Sequence, residues 1–194
     1  MILLVAATEA ELCGHPGLVC GVGPVEAAAA TAAALARDAP ERVLHVGLAG
    51  AAGLEPGTLV VGTESLYVDL AAAIPVVSHV EPDLRLLAAV REALPEVPAL
   101  PIATSAAVGE MRVPGTSGAR HRWRERDGVA VEAMEGFAVL RACALAGVPA
   151  LEVRAVSNEL GEEDRSRWEL ERGLAALAAA IPSLLGALEA WEPA

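Results

Sequence analysis

Short Val-rich runs alternate with Ala/Leu-rich helical ones along all 194 residues, and this alternation constrains the fold more than any other feature. Strands read over 2–6, 18–21, 43–47, 59–67, 99–106, 128–132 and 150–157. Helices read over 25–36, 83–93, 135–146 and 165–191, the last with one break at Pro182. Stop signals fall between them: Asp38-Ala39-Pro40, Pro56-Gly57 and Gly147-Val148-Pro149. Strands alternating with helices imply an α/β fold, a mixed central sheet flanked by helices on both faces. No repeat or linker interrupts the pattern, so residues 1–194 read as one domain.

Composition narrows the function classes. Apolar residues make up 54% of the chain but aromatics only 3%, so the core is expected to be Ala, Leu and Val, with apolar surface left over for a subunit contact. The formal net charge is −12, whereas a phosphate backbone is bound by clustered cations; no nucleic-acid polymer is expected as a partner. The densest basic stretch, 120–126, is interrupted by Glu125 and followed by Asp127, the pattern of a solvated segment. Cys13, Cys20 and Cys143 form no CxxC pair and read as reduced, apolar thiols. His15, His45, His79 and His121 stand apart in the sequence, so no metal site and no cofactor is expected. The apolar run 1–7 has no basic flank before it and reads as a buried strand, not a signal peptide. No uninterrupted apolar run reaches membrane-spanning length. The expected compartment is the cytoplasm, without membrane association.

In such a sheet, ligands gather at the carboxyl ends of strands. Four segments fall there: Ala6-Ala7-Thr8-Glu9-Ala10-Glu11, the Gly-rich turn 47–53, Val131-Glu132-Ala133-Met134-Glu135-Gly136, and Ser157-Asn158. Each has a plainer reading. Glu9, Glu11 and Glu135 suit helix N-termini, and Asn158 suits a cap. Yet Asn158 is the one asparagine in a chain with no glutamine and no lysine. An amide donates one hydrogen bond and accepts another in one plane, which suits the carbonyl and ring nitrogen of a 6-oxopurine.

Together, in this order, the four segments resemble the nucleoside phosphorylase and nucleosidase superfamily over nearly the whole chain. The resemblance implies a small-molecule purine nucleoside as substrate. It implies that Met134 and Glu135 hold the ribose, that the turn supplies Ala49 and Gly50 to the substrate, and that residue 158 faces the base. More loosely, it implies that Met111, Arg112 and Val113 lie along the purine. Two departures choose among activities. Phosphorylases of the superfamily hold phosphate with arginines, one of them soon after the first strand; here the first arginine is Arg37 and the early loop carries Glu9 and Glu11. Carboxylates repel a phosphate dianion but can activate water; by register with the nucleosidases the resemblance implies Glu11 for that role, with Glu9 as the alternative. Adenine-cleaving nucleosidases carry Asp after the Ser, where this chain has Asn158.

The expected reaction is therefore hydrolysis of the N-glycosidic bond of a hypoxanthine nucleoside. The alternatives are an adenine-type nucleosidase, an inosine-type phosphorylase and a nucleoside-binding protein without turnover. Arg154, four residues before Asn158 and on the same face of a regular strand, is expected either to orient Asn158 or a nearby acid, or to form a buried ion pair. Arg165, Arg167 and Arg112 could meet an acidic 5′ substituent, although Glu162, Glu163 and Asp164 are ready surface partners for the first two. The resemblance also implies a homodimer or higher homo-oligomer.

Overall fold

The structure, a computed structural model, describes residues 1–70, 72–107 and 131–190. Among the described residues eight strands alternate with four α-helices: β1 (Ile2–Ala6), β2 (Leu18–Val19), α1 (Pro24–Asp38), β3 (Arg42–Ala51), β4 (Leu59–Tyr67), β5 (His79–Val80), α2 (Leu84–Ala93), β6 (Ala99–Thr104), β7 (Val131–Ala133), α3 (Gly136–Ala146), β8 (Ala150–Glu159) and α4 (Leu170–Glu189). Local chemistry sets the boundaries. Pro24 opens α1 at its first turn, where the missing N–H costs nothing. The Asp83 carboxylate accepts from the N–H groups of Arg85 and Leu86 and so caps α2. Gly147, at φ +69°, ends α3 in the left-handed region.

The strands run in the order β2-β1-β3-β7-β6-β4-β5, and β8 pairs with both β3 and β4. The sheet thus closes a ring through β3, β8, β4, β6 and β7. It is mixed: β3 lies parallel to β1 and β8, while β4 meets β8 and β3 meets β7 antiparallel. Alternation along β3 and β8 sorts the core into two faces. Leu44, Val46, Leu151, Val153 and Ala155 pack under Leu86 and Val90 of α2 and Leu177, Ile181 and Leu184 of α4. Val43 and Ala150 pack with Ala27 and Leu35 of α1 and Val139, Leu140 and Cys143 of α3. Helices therefore cover both faces, as expected from the alternation. Burial pushes the Cys20 and Cys143 thiols up to about 12, so both stay protonated, as apolar fillers do.

Several expected boundaries move. The Gly-rich segment 47–53 is not a turn until after Ala51; β3 runs through Gly47 and Gly50, because the packing described below requires glycine there in extended backbone. The last helix does not begin at residue 165: a separate 3-10 turn, Arg165–Arg167, precedes α4. Pro182 does not break α4. It lies on the exposed side, as does Ala178, whose carbonyl loses its intrahelical donor and can be hydrated instead. Helix α4 is long and apolar enough to cross a membrane by length and composition. One stripe of it, from Gly173 to Leu188, is buried in the protein. The basic stretch 120–126, residues 128–130 of the expected strand 128–132, and Met111, Arg112 and Val113 lie outside the described residues.

Candidate active site

The segments expected to meet do meet. A cavity of about 420 Å³ opens at the carboxyl ends of β1, β3 and β8 and is lined by Thr8, Glu11, Leu48, Ala49, Gly50, Met134, Glu135, Ser157 and Asn158. Its size suits a small molecule. Glu9 points to solvent and lines none of it; Glu11, two residues on in a 3-10 turn, is buried.

Backbone and hydroxyl donors fix Glu11. Its Oε2 accepts from the Thr8 N–H at 3.0 Å and the Thr8 hydroxyl at 2.8 Å, and its Oε1 from the Leu48 N–H at 2.9 Å. Glu135 sits at the N-cap position of α3 but does not cap it. Its Oε1 instead accepts from the Gly23 N–H at 3.0 Å, and its Oε2 lies 3.5 Å from Arg154 Nη1. Burial pushes the Glu135 carboxyl above the usual carboxylate range. Arg154 and the Gly23 N–H pull it back, while Glu11 and Glu152 add repulsion.

Arg154 is the fully buried cation behind this pair of acids. Its Nε bonds Glu152 Oε1 at 2.7 Å and its Nη2 meets His45 Nε2. His45 Nδ1 lies 3.1 Å from the Val5 carbonyl, so the proton belongs on Nδ1 and Nε2 accepts. Burial and the adjacent guanidinium hold the His45 pKa well below its ordinary value, which keeps the ring neutral. Ser65 donates to the second oxygen of Glu152. Nη1, the remaining guanidinium nitrogen, makes no hydrogen bond and is turned to the site acids. Gly47 makes room for this: a Cβ there would overlap Nη1 and come within 2.9 Å of Glu11 Oε1.

Asn158 lies in the cavity wall, with Oδ1 accepting from the Ser157 hydroxyl at 2.8 Å and Nδ2 donating to the Glu159 carbonyl at 3.0 Å. One N–H and one lone pair remain for a ligand. Gly50, its register partner on β3, must lack a side chain, since a Cβ would stand 2.8 Å from Nδ2. The β3–β8 register slips between Ala49 and Gly50, leaving Ser157 as an extra residue on β8. This bulge corrects the expectation that Arg154 and Asn158 share a face. Arg154 addresses an acid, Glu135, and forms the buried pair with Glu152; it does not reach Asn158.

Ala49, Gly50, Met134 and Glu135 thus all join Glu11 and Asn158 at one cavity. Thr8, His45 and Glu152 had not been singled out for the site. A signal for Glu152 existed: Glu152 and Arg154 are two charges on one face of an otherwise apolar strand, the pattern of a buried network.

The model of the phosphorylase superfamily matches residues 12–189, and the chain belongs to that superfamily. Among individual proteins, it is 39% identical to a futalosine hydrolase of Streptomyces coelicolor, over 91% of this chain and 80% of that one. It is 35% identical to a futalosine hydrolase of Thermus thermophilus, over 89% of this chain and 81% of the other. Solved structures share the fold at lower identity. Futalosine hydrolase of Helicobacter pylori superposes with a TM-score of 0.80 at 19% identity, covering 95% of this chain and 97% of that one. A 5′-methylthioadenosine/S-adenosylhomocysteine nucleosidase of Colwellia psychrerythraea, in complex with adenine, superposes with a TM-score of 0.79 at 23% identity, covering 96% and 95%.

Proposed function

We propose that this protein is an N-glycosyl hydrolase that cleaves futalosine into hypoxanthine and dehypoxanthine futalosine, a step on the futalosine route to menaquinone. The observation that carries this reading is the pair of buried carboxylates, Glu11 and Glu135, facing one cavity whose wall holds the amide of Asn158. Identity of 39% and 35% to two futalosine hydrolases supports it.

Each residue has a role in the proposal. Glu11 takes a proton from water as the water attacks C1′. Glu135 accepts from the two sugar hydroxyls. Met134, Ala49 and Gly50 border the nucleoside. The base leaves with the electrons of the glycosidic bond, and their charge spreads onto O6. Asn158 donates its free N–H there, and its oxygen accepts from N7–H once solvent has protonated that nitrogen to give neutral hypoxanthine; the preorganised contact is worth about 3 kcal/mol of barrier. Arg154, pinned by Glu152 and His45, offsets part of the burial cost of the ionised, acceptor form of Glu135. The buried carboxylates Glu11 and Glu135 disfavour a phosphate dianion as nucleophile. Met111, Arg112 and Val113 would border the purine, on the resemblance alone.

The test is to incubate the protein with futalosine, inosine and methylthioadenosine, each with and without phosphate. Release of hypoxanthine from futalosine, indifferent to phosphate, is expected; preference for methylthioadenosine would overturn the reading. The expected assembly is a homodimer or higher homo-oligomer in the cytoplasm. Supporting it is an apolar groove between α1 and α3, where Val25 and Leu145 are 78% and 72% exposed. Sedimentation as a 19.8 kDa monomer would contradict it.

A further inference from the structure

One corner of the cavity lies away from Glu135 and Asn158, the residues assigned above to ribose and base. It is formed by the loop after Asn158 and the start of α4: Arg165, Trp168, Leu170 and Leu174. Its charges are distributed unevenly. Arg167 is tied to Glu162 at 3.2 Å and lies 3.9 Å from Asp164. The Glu162 carboxylate also accepts from the Asp164 N–H, and the Asp164 carboxylate from the Ser166 N–H and hydroxyl. Glu162 and Asp164 are thus engaged within the loop. Arg165 makes no ion pair among the described residues; its guanidinium carbon lies 5.3 Å from the centroid of the Trp168 ring. The indole is itself held, its N–H donating to the Glu162 carbonyl at 3.1 Å. A cation without an ion pair among the described residues, beside a fixed aromatic face and two leucines, suits a planar aromatic ring that carries a carboxylate.

We propose that Arg165 is a specificity-determining residue that clamps the aromatic carboxylate on the 5′ side of the substrate, while Trp168, Leu170 and Leu174 receive its ring. This rests on the futalosine reading and deepens it: of the two neighbouring arginines, Arg165 faces the cavity and Arg167 holds the loop together. A guanidinium on a carboxylate contributes a charge-assisted pair, and removing it costs about tenfold or more in affinity.

The experiment has two arms. The first measures kcat/KM for futalosine and inosine in the wild type, Arg165→Ala and Arg167→Ala. The futalosine-to-inosine preference is expected to fall about tenfold in Arg165→Ala, through KM, and to hold in Arg167→Ala. An unchanged preference in Arg165→Ala, or an equal fall in both variants, overturns the proposal. The second arm titrates benzoate, with benzamide as neutral control, into the wild type and Arg165→Ala and follows tryptophan fluorescence. Benzoate is expected to bind the wild type in preference to benzamide and to lose that preference without Arg165. No preference in the wild type overturns the carboxylate site. If benzoate binds as expected but wild-type protein leaves futalosine intact, the carboxylate site stands and the futalosine reading falls.

Discussion

Gly47→Ala probes the site at its tightest point. The new Cβ would overlap Arg154 Nη1 and stand 3.3 Å from Arg154 Cζ and 2.9 Å from Glu11 Oε1. A flexible side chain could swing aside, but Arg154 is pinned at Nε by Glu152, at 2.7 Å, and at Nη2 by His45. Glu11 is held by three donors. Overpacking a locked site costs about 1–3 kcal/mol, and two buried charged groups place this one near the upper end. The alanine recovers about 0.4–1 kcal/mol by restricting the unfolded chain. The expected net loss is about 2 kcal/mol, read from urea unfolding. Because the clash also displaces Glu11, kcat/KM should fall about 10²-fold, the usual consequence of a misplacement near 1 Å. A variant within 0.5 kcal/mol of wild type that keeps its kcat/KM would show that Arg154 and Glu11 are not locked, and the account of the site would fail.

Three further predictions concern the individual groups. Glu11→Gln should lower kcat about 10²–10⁴-fold in steady-state assays while still unfolding cooperatively, with a stability loss of about 1–3 kcal/mol because the amide nitrogen must face the Leu48 or the Thr8 donors; full activity would move the water-activating role elsewhere, with Glu9 next in line. Asn158→Asp should weaken turnover of hypoxanthine nucleosides relative to adenine ones, since discrimination by a buried hydrogen-bond pair reaches about 10⁴; an unchanged preference would mean that the amide does not read the base. The raised pKa of Glu135 predicts an acid limb of kcat/KM above the ordinary glutamate range, because the sugar hydroxyls need the ionised form. The same shift means that the folded state favours protonated Glu135, so stability is lost as pH rises through the folded pKa. Glu135→Gln should therefore melt higher than wild type above that pH and show no such gain below the ordinary glutamate range; an equal difference at every pH would contradict the assignment.

The strands most legible in the sequence were those whose ends carry a local signal. Ile2–Ala6 and Leu59–Tyr67 were read at their observed bounds, the second entered through Pro56-Gly57. The segment 47–53 misled because glycine serves two purposes. Gly47 and Gly50 do not turn the chain; they let Arg154, Glu11 and Asn158 approach the β3 backbone. That requirement comes from β8 and the loop after β1, and nothing within the segment announces it. Glu11, Glu135 and Asn158 were legible because each follows a recognisable strand. The His45–Arg154–Glu152 network was not, since His45 and Glu152 meet only through the β3–β8 register, over a hundred residues apart in sequence. The bulge at Ser157 likewise depends on that pairing, and it moved Asn158 off the face where simple alternation had placed it.

The most direct test of the central claim is the identity of the sugar product. Futalosine is incubated with the protein in phosphate buffer made with ¹⁸O-labelled water, and the products are resolved by mass spectrometry. Hypoxanthine and a free sugar carrying one labelled oxygen are expected, at a rate that does not change when phosphate is omitted. A sugar 1-phosphate, or a rate that depends on phosphate, would contradict it.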